Sequence, residues 1–338
     1  MRNNVISICK GIAIILMVLG HTEGPGFLMH IVYLFHMPIF FITAGYFFSR
    51  KYLSDPWTFV VKRFKGLYVP MVKWALFFLV IHNLMFKIGL LSEQYGNWEN
   101  GVTHPYDLHA FLQRAVSIVT SMSGYDEFLA GAFWFFRALL KIGNGLKVVN
   151  VVQGGIRETW GVFFFGVGVL YRSYEHRIKE HWSLALVYLC ILCIATQLGW
   201  HGMTLSPWVQ DVATLPLTGI AGFLMVHYVA KWLDRHDGIV KRALVHCGEM
   251  TLYIYVFHII SFKVVSAIKI AYYGLDWGQM GCHMVVHENS KTDIFWIFYT
   301  IAGTALPLLW MWAYKKVIPP LNTRLKAYIS KYMSINQK

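Results

Sequence analysis

Nine apolar runs divide this chain, and mostly short polar linkers separate them. They cover roughly residues 5–22, 28–48, 68–91, 128–142, 159–171, 183–200, 212–232, 247–272 and 293–314. About 20 apolar residues are enough to cross a bilayer as a helix. Hydrocarbon offers no water to a bare N–H or C=O, so a segment that crosses it must satisfy its backbone internally, as a helix does. Only 14% of residues are charged and 57% are hydrophobic, whereas a soluble domain carries about a quarter charged residues. The predicted fold is all-α: a polytopic transmembrane bundle with nine clear spans, in one domain over 1–338. Thirteen Trp and 19 Tyr suit aromatic belts at two interfaces. The first run is followed by Thr22-Glu23-Gly24-Pro25 rather than by a small-residue cleavage site, so it reads as a membrane helix.

The formal charge of +13 does not point to nucleic acid. The cations sit in loops and the tail, as the positive-inside rule expects. Residues 50–66 carry Arg50, Lys51, Lys62, Arg63 and Lys65 against Asp55, which makes that loop cytoplasmic. Residues 92–127 carry Glu93, Glu99, Asp107, Asp126 and Glu127 against Arg114, which makes that loop external. The tail from Lys315 holds six cations and no acid. Both termini are therefore expected in the cytoplasm. That demands an even number of crossings, and the conflict falls between Lys141 and Glu158. The stretch there has only a Val-Val-Asn-Val-Val core, too polar for an ordinary span. A re-entrant or interfacial segment is the alternative.

Ionisable groups at membrane depth are costly, and each is a functional hypothesis by default. Lys10 and His21 share the first apolar run, eleven residues apart. At about 100° and 1.5 Å per residue they lie on nearly one face, roughly 16 Å apart along the axis. His21 can act as the base that activates a hydroxyl for attack on an acyl group. A core histidine bonded to a neighbouring helix has the same signature. Lys10 can meet an anionic ligand, or it can simply snorkel to the interface. Lys62, Arg63 and Lys65 can hold a phosphate or merely anchor the topology. His36, Arg137 and His258 are further membrane-depth groups, expected to line or support a substrate path.

No metal site is expected. Cys282-His283 and His287-Glu288 match no zinc spacing. Cys190 and Cys193 form a CxxC inside an apolar run, where small packing residues are the simpler reading. P-loop, GxGxxG, HExxH and GxSxG motifs are absent.

Several segments together resemble the membrane acyltransferase 3 family. The hallmark is Arg or Lys, ten residues, then His in the first helix; here it is Lys10 and His21. The likeness continues through Phe35-His-Met-Pro-Ile-Phe-Phe, Lys62-Arg-Phe-Lys-Gly-Leu-Tyr-Val-Pro70, Phe133-Trp-Phe-Phe and Gly248-Glu-Met-Thr-Leu-Tyr-Ile-Tyr-Val-Phe-His258. It ends with Gly303-Thr-Ala-Leu-Pro-Leu-Leu-Trp. The resemblance implies a bacterial inner-membrane enzyme, usually of ten helices. Such enzymes move an acyl group, commonly acetyl from acetyl-CoA, to a hydroxyl of an envelope polysaccharide or lipid-linked sugar. It implies His21 as the catalytic histidine, Lys10 on the acyl-CoA side and Arg63 in the basic patch before the third helix. Two departures stand out. Lys10 replaces the commoner Arg, and the weak segment 141–158 lies where the family has another helix. The rival reading is a transporter or flippase for an envelope sugar or organic anion, although no inverted repeat is evident.

Overall fold

The computed structural model describes residues 3–49, 51–97, 101–131, 133–143, 156–178, 180–203, 211–288 and 292–335, without the side chains of 136, 140–143, 156 and 318–335. Regular structure among these residues is helical, apart from one bridge between Asn97 and Gly101. Each of the nine apolar runs overlaps a helix. Among the described residues, five helical stretches are long and apolar enough to cross a membrane: Gly26–Tyr46, Pro56–Lys87, Asp211–Asp234, Thr251–Tyr273 and Phe295–Val317. Asn4–Gly20 and Trp182–Gln197 are shorter apolar helices. The runs at 128–142 and 159–171 correspond to Trp134–Gly143 and Ile156–Tyr174. Most of segment 141–158 lies outside the described residues.

Helix α1 (Asn4–Gly20) is the central stave. Asn3 caps it, its Oδ1 accepting from the Ile6 N–H at 3.2 Å. The helix stops at His21, where Tyr33 donates to the Gly20 carbonyl at 2.5 Å and Thr22 donates to the Leu19 carbonyl at 2.7 Å. The run at 28–48 is broken into α2 (Gly26–Tyr33) and α3 (His36–Tyr46). Pro38 falls in the first turn of α3, where its missing N–H costs nothing. Tyr46, at the end of α3, accepts from the Asn3 Nδ2 at 3.0 Å. So α3 descends from the His21 end of the bundle to the Asn3 end.

The expected loop at 50–66 is largely helical, which corrects the sequence reading. After α4 (Lys51–Ser54), Asp55 caps α5 (Pro56–Arg63), with Pro56 at its first position. A π-helical turn, Phe64–Tyr68, carries α5 directly into α6 (Val69–Lys87). Pro70 cannot donate to the carbonyl four residues back, and the wider turn just before it absorbs that defect.

The acidic segment 92–127 is not a simple loop either. It contains α7 (Leu108–Ser121), which packs antiparallel along α6. Asn83 exchanges hydrogen bonds with the Tyr106 backbone at 2.8 and 2.7 Å, and Tyr68 donates to the Val119 carbonyl at 2.5 Å. Leu108, Leu112, Val116 and Val119 form its exposed apolar face. Two acids that marked the segment as external have local work. Asp107 caps α7, and buried Asp126 pairs with buried His82. The His82 Nε2–H donates to the His104 carbonyl at 3.0 Å.

Helices α8 (Trp134–Gly143) and α9 (Ile156–Tyr174) run in the same direction. Gly131, just before α8, lies against His258, whereas Leu139 lies in a cavity with Lys10. Along α9, Gly168 meets Ile42 and the Arg172 guanidinium donates to the Tyr46 carbonyl at 3.2 Å, so α9 descends beside α3. The charge conflict read from the sequence falls between these two parallel helices. The remaining elements are α10 (Trp182–Gln197), α11 (Asp211–Asp234), α12 (Ile239–Glu249), α13 (Thr251–Tyr273) and α14 (Phe295–Ile335). Helix α1 touches α3, α11, α12, α13 and α14. Its closest approach is to α12, where a Cβ on Gly11 would strike the Leu244 carbonyl and one on Gly248 the Ser7 carbonyl.

Candidate active site

Lys10 and His21 open into different cavities. Lys10 lines a chamber of about 280 Å³ with Ile14, Met37, Phe40, Phe135, Leu139 and Tyr255. Its ammonium lies 5.9 Å from the centre of the Phe47 ring. Next to this chamber is a second one of about 370 Å³, lined by Phe48, Tyr52, Phe59, Lys62 and Arg63. The two share Ala44, Phe47, Gly66 and Leu67. The π-helical turn thus supplies the wall between a basic, aromatic vestibule and an apolar inner chamber. Lys62 donates to the Tyr52 hydroxyl at 3.3 Å, and the Arg63 guanidinium lies 5.0 Å from the Phe59 ring centre. Lys65 is exposed and is not among the lining residues.

At the other end of α1, His21 lines a cavity of about 610 Å³ with Thr22, Glu23, Tyr33, Tyr95, Asn97 and His283. Three loops meet here: the exit from α1, the stretch after α6 and the α13–α14 connection. Lys263 of α13 holds the last of these, donating to the carbonyls of Met280 and Cys282 at 2.5 and 2.6 Å. The His283 Nε2–H donates to the Glu127 carbonyl. Burial pushes the His283 pKa down to about 3, so its ring is neutral at ordinary pH.

His258 stands at the neck between the two ends. Its ring centre is 5.1 Å from that of His21. It is 0% exposed, and its Nδ1 lies 2.8 Å from the Tyr255 carbonyl. A carbonyl only accepts, so Nδ1 carries the hydrogen and Nε2 is left as an acceptor. That Nε2 is buried without a hydrogen-bond partner. Tyr255, one turn earlier on α13, faces the Lys10 chamber. Gly131 lets the chain before α8 pass the pair, because a Cβ there would come within 2.9 Å of the His258 ring.

The other sequence candidates sit elsewhere. His36 is buried, with Nδ1 donating to the Val32 carbonyl at 2.8 Å and its ring edge-on to Tyr33. Arg137 lies 3.6 Å from Glu158 and ties α8 to α9. Neither lines the three cavities. Among the described residues no three His, Cys, Asp or Glu side chains gather as metal ligands. Sequence reasoning missed Asn97, Tyr255, Lys263 and His283 as wall or support. Lys263 had a legible signal, since it is a cation inside an apolar run like Arg137. Asn97 had none.

A helical membrane protein with a deep cavity at each end of a Lys–His helix is the class that this fold and site define. The family profile of the acyltransferase domain matches residues 3–316, and the chain belongs to the acyltransferase 3 family. It is thus a membrane acyltransferase. No curated protein and no solved structure matches it.

Proposed function

We propose that this enzyme moves an acyl group, acetyl in the simplest case, from acyl-CoA to a hydroxyl of an envelope carbohydrate. The observation that carries this reading is that one helix presents a cation to one cavity and a histidine to another. The donor enters at the Lys10 end. Lys62 and Arg63 meet its phosphates, and the aromatic vestibule takes the nucleotide. The narrow apolar chamber suits the pantetheine arm, and roughly 16 Å of helix separates Lys10 from His21. The acceptor occupies the polar cavity around His21. His21 takes the hydroxyl proton as the oxygen attacks the thioester carbonyl. The C–S bond then breaks, and the imidazolium returns the proton to the CoA sulfur. His258 supports His21 from the neck. By the positive-inside rule the Lys10 end, with both termini, faces the cytoplasm of a bacterial inner membrane.

The test supplies purified protein in nanodiscs with labelled acetyl-CoA and a panel of envelope glycans. Label on a glycan, with an equal amount of free CoA, is the expected result. Glycan movement across proteoliposomes without CoA consumption would replace this reading with transport.

A further inference from the structure

We infer that His283 is a second substrate-contacting residue of the His21 cavity, a neutral imidazole whose Nδ1 accepts a hydrogen bond from the compound that receives the acyl group. The inference rests on the acyl-transfer reading for what fills that cavity. His283 lines it from the α13–α14 connection. Its ring contacts assign the hydrogens. Nε2 faces the Glu127 carbonyl, which only accepts, so Nε2 carries the hydrogen and Nδ1 keeps its lone pair. Among the described residues Nδ1 has no hydrogen-bond partner, and it is not enclosed as the His258 Nε2 is. The residue stays partly exposed, so its lone pair is open to the cavity that it lines.

The surroundings hold that lone pair in place. The His283 backbone N–H donates to the Asn97 Oδ1 at 2.6 Å, and the carbonyl just before it, that of Cys282, accepts from buried Lys263 at 2.6 Å. A loop side chain tied through its ring, its own N–H and the preceding carbonyl is pre-organised, and such a contact loses little entropy when a ligand arrives. The two histidines then divide the work. Burial holds the His283 pKa down at about 3, so His283 accepts a hydrogen bond without taking the proton. The proton of the attacking hydroxyl goes to His21. A hydroxyl has one hydrogen, so the group on His283 is a second hydroxyl of the same acceptor. The cavity therefore favours a compound with several hydroxyls over a simple alcohol.

The full-length protein in nanodiscs tests this at two levels. Diethyl pyrocarbonate modifies an accessible, unprotonated imidazole nitrogen, and peptide mass spectrometry should find His283 modified in the wild type. CoA release from acetyl-CoA is then followed with glycerol and with propanol as surrogate acceptors on the same three-carbon chain. Wild type should prefer glycerol. His283→Gln keeps an amide N–H for the Glu127 carbonyl but puts nothing at the Nδ1 position. It should raise the half-saturating glycerol about 3- to 10-fold, the worth of one neutral hydrogen bond, and lower the preference over propanol to match, while the acetyl-CoA KM holds. His283→Asn sets its amide oxygen near the Nδ1 position and should keep the preference although it drops the Glu127 tie. An unmodified His283, no glycerol preference in wild type, a preference that survives His283→Gln, or one lost only in His283→Asn would overturn the assignment. A modified His283 with no CoA release to either alcohol would leave it an open hydrogen-bond acceptor and count against the acyl-transfer reading alone.

Discussion

Helix α9 contains an internal control for how the Lys10 chamber is held. A Cβ on Gly168 would run into the Ile42 carbonyl of α3, with the Ile42 carbonyl carbon at 2.8 Å and the Tyr46 nitrogen at 2.9 Å. A Cβ on Gly166, two residues earlier on the same helix, meets nothing within 4 Å. Replacing Gly by Ala inside a helix gains about 1 kcal/mol of backbone propensity at either position. That gain cancels when the two variants are compared. What remains is the cost of forcing two backbones apart, about 1–3 kcal/mol by analogy with overpacked cores. At about 2 °C per kcal/mol for a chain of this size, Gly168→Ala should melt roughly 2–6 °C below Gly166→Ala. Intrinsic-fluorescence melting of both variants in one detergent reads the difference. Helix α3 also supplies Met37, Phe40, Thr43 and Ala44 to the Lys10 chamber. Displacing it should therefore raise the acyl-CoA KM of Gly168→Ala and leave that of Gly166→Ala near wild type. Equal melting temperatures, or a more stable Gly168→Ala, would refute the close α3–α9 crossing and the chamber built on it.

Three other outcomes follow from the same structure. Lys10→Gln should raise the acyl-CoA KM about 10- to 100-fold, the size of a lost charge-assisted contact, with kcat within a few-fold; Lys10→Arg should largely restore it in steady-state assays. His258→Phe keeps a ring but no ring nitrogen, so kcat should fall by about tenfold or more while the acyl-CoA KM stays put, a split that simple loss of folded enzyme does not give. Glu180 is the pH-sensitive anchor. Burial acts to raise its pKa, but hydrogen bonds from His227, Lys231 and Tyr171 hold it down at about 2. A carboxyl depressed in the folded state stabilises fully above its unfolded pKa, near 4.5, and that support is lost as pH falls from there towards 2. The support is worth on the order of 3 kcal/mol, so Glu180→Gln should melt lower at pH 7 and show a shallower decline between pH 5 and 3.

The apolar runs were legible because hydrocarbon leaves a backbone few alternatives to a helix. The Lys10–His21 relation was legible too, since helix geometry alone fixes their separation and shared face. That the two residues serve different cavities was not, because it depends on α3, α5 and the Tyr95–Asn97 stretch arriving from elsewhere. The cationic 50–66 segment read as a loop because an amphipathic helix at an interface carries the same charges as a topogenic linker. The helix inside the acidic segment 92–127 was hidden for a related reason. Asp107 caps a helix and Asp126 meets His82, and sequence separation hides both a cap and a buried partner from a charge count. Arg137 carried the signal of a costly membrane-depth charge, and the structure sets it 3.6 Å from Glu158, a pairing across helices that sequence separation hides. Asn97 gave no signal, because what singles it out is the His283 N–H on its oxygen.

CoA release from acetyl-CoA by wild type beside His21→Ala, in nanodiscs and with acyl-CoA binding and melting temperature measured on both, tests the central claim most directly. Release is expected to fall by about 10²- to 10⁴-fold, the usual worth of a general base, while binding and melting temperature hold. Turnover that survives the substitution would remove His21 from the reaction.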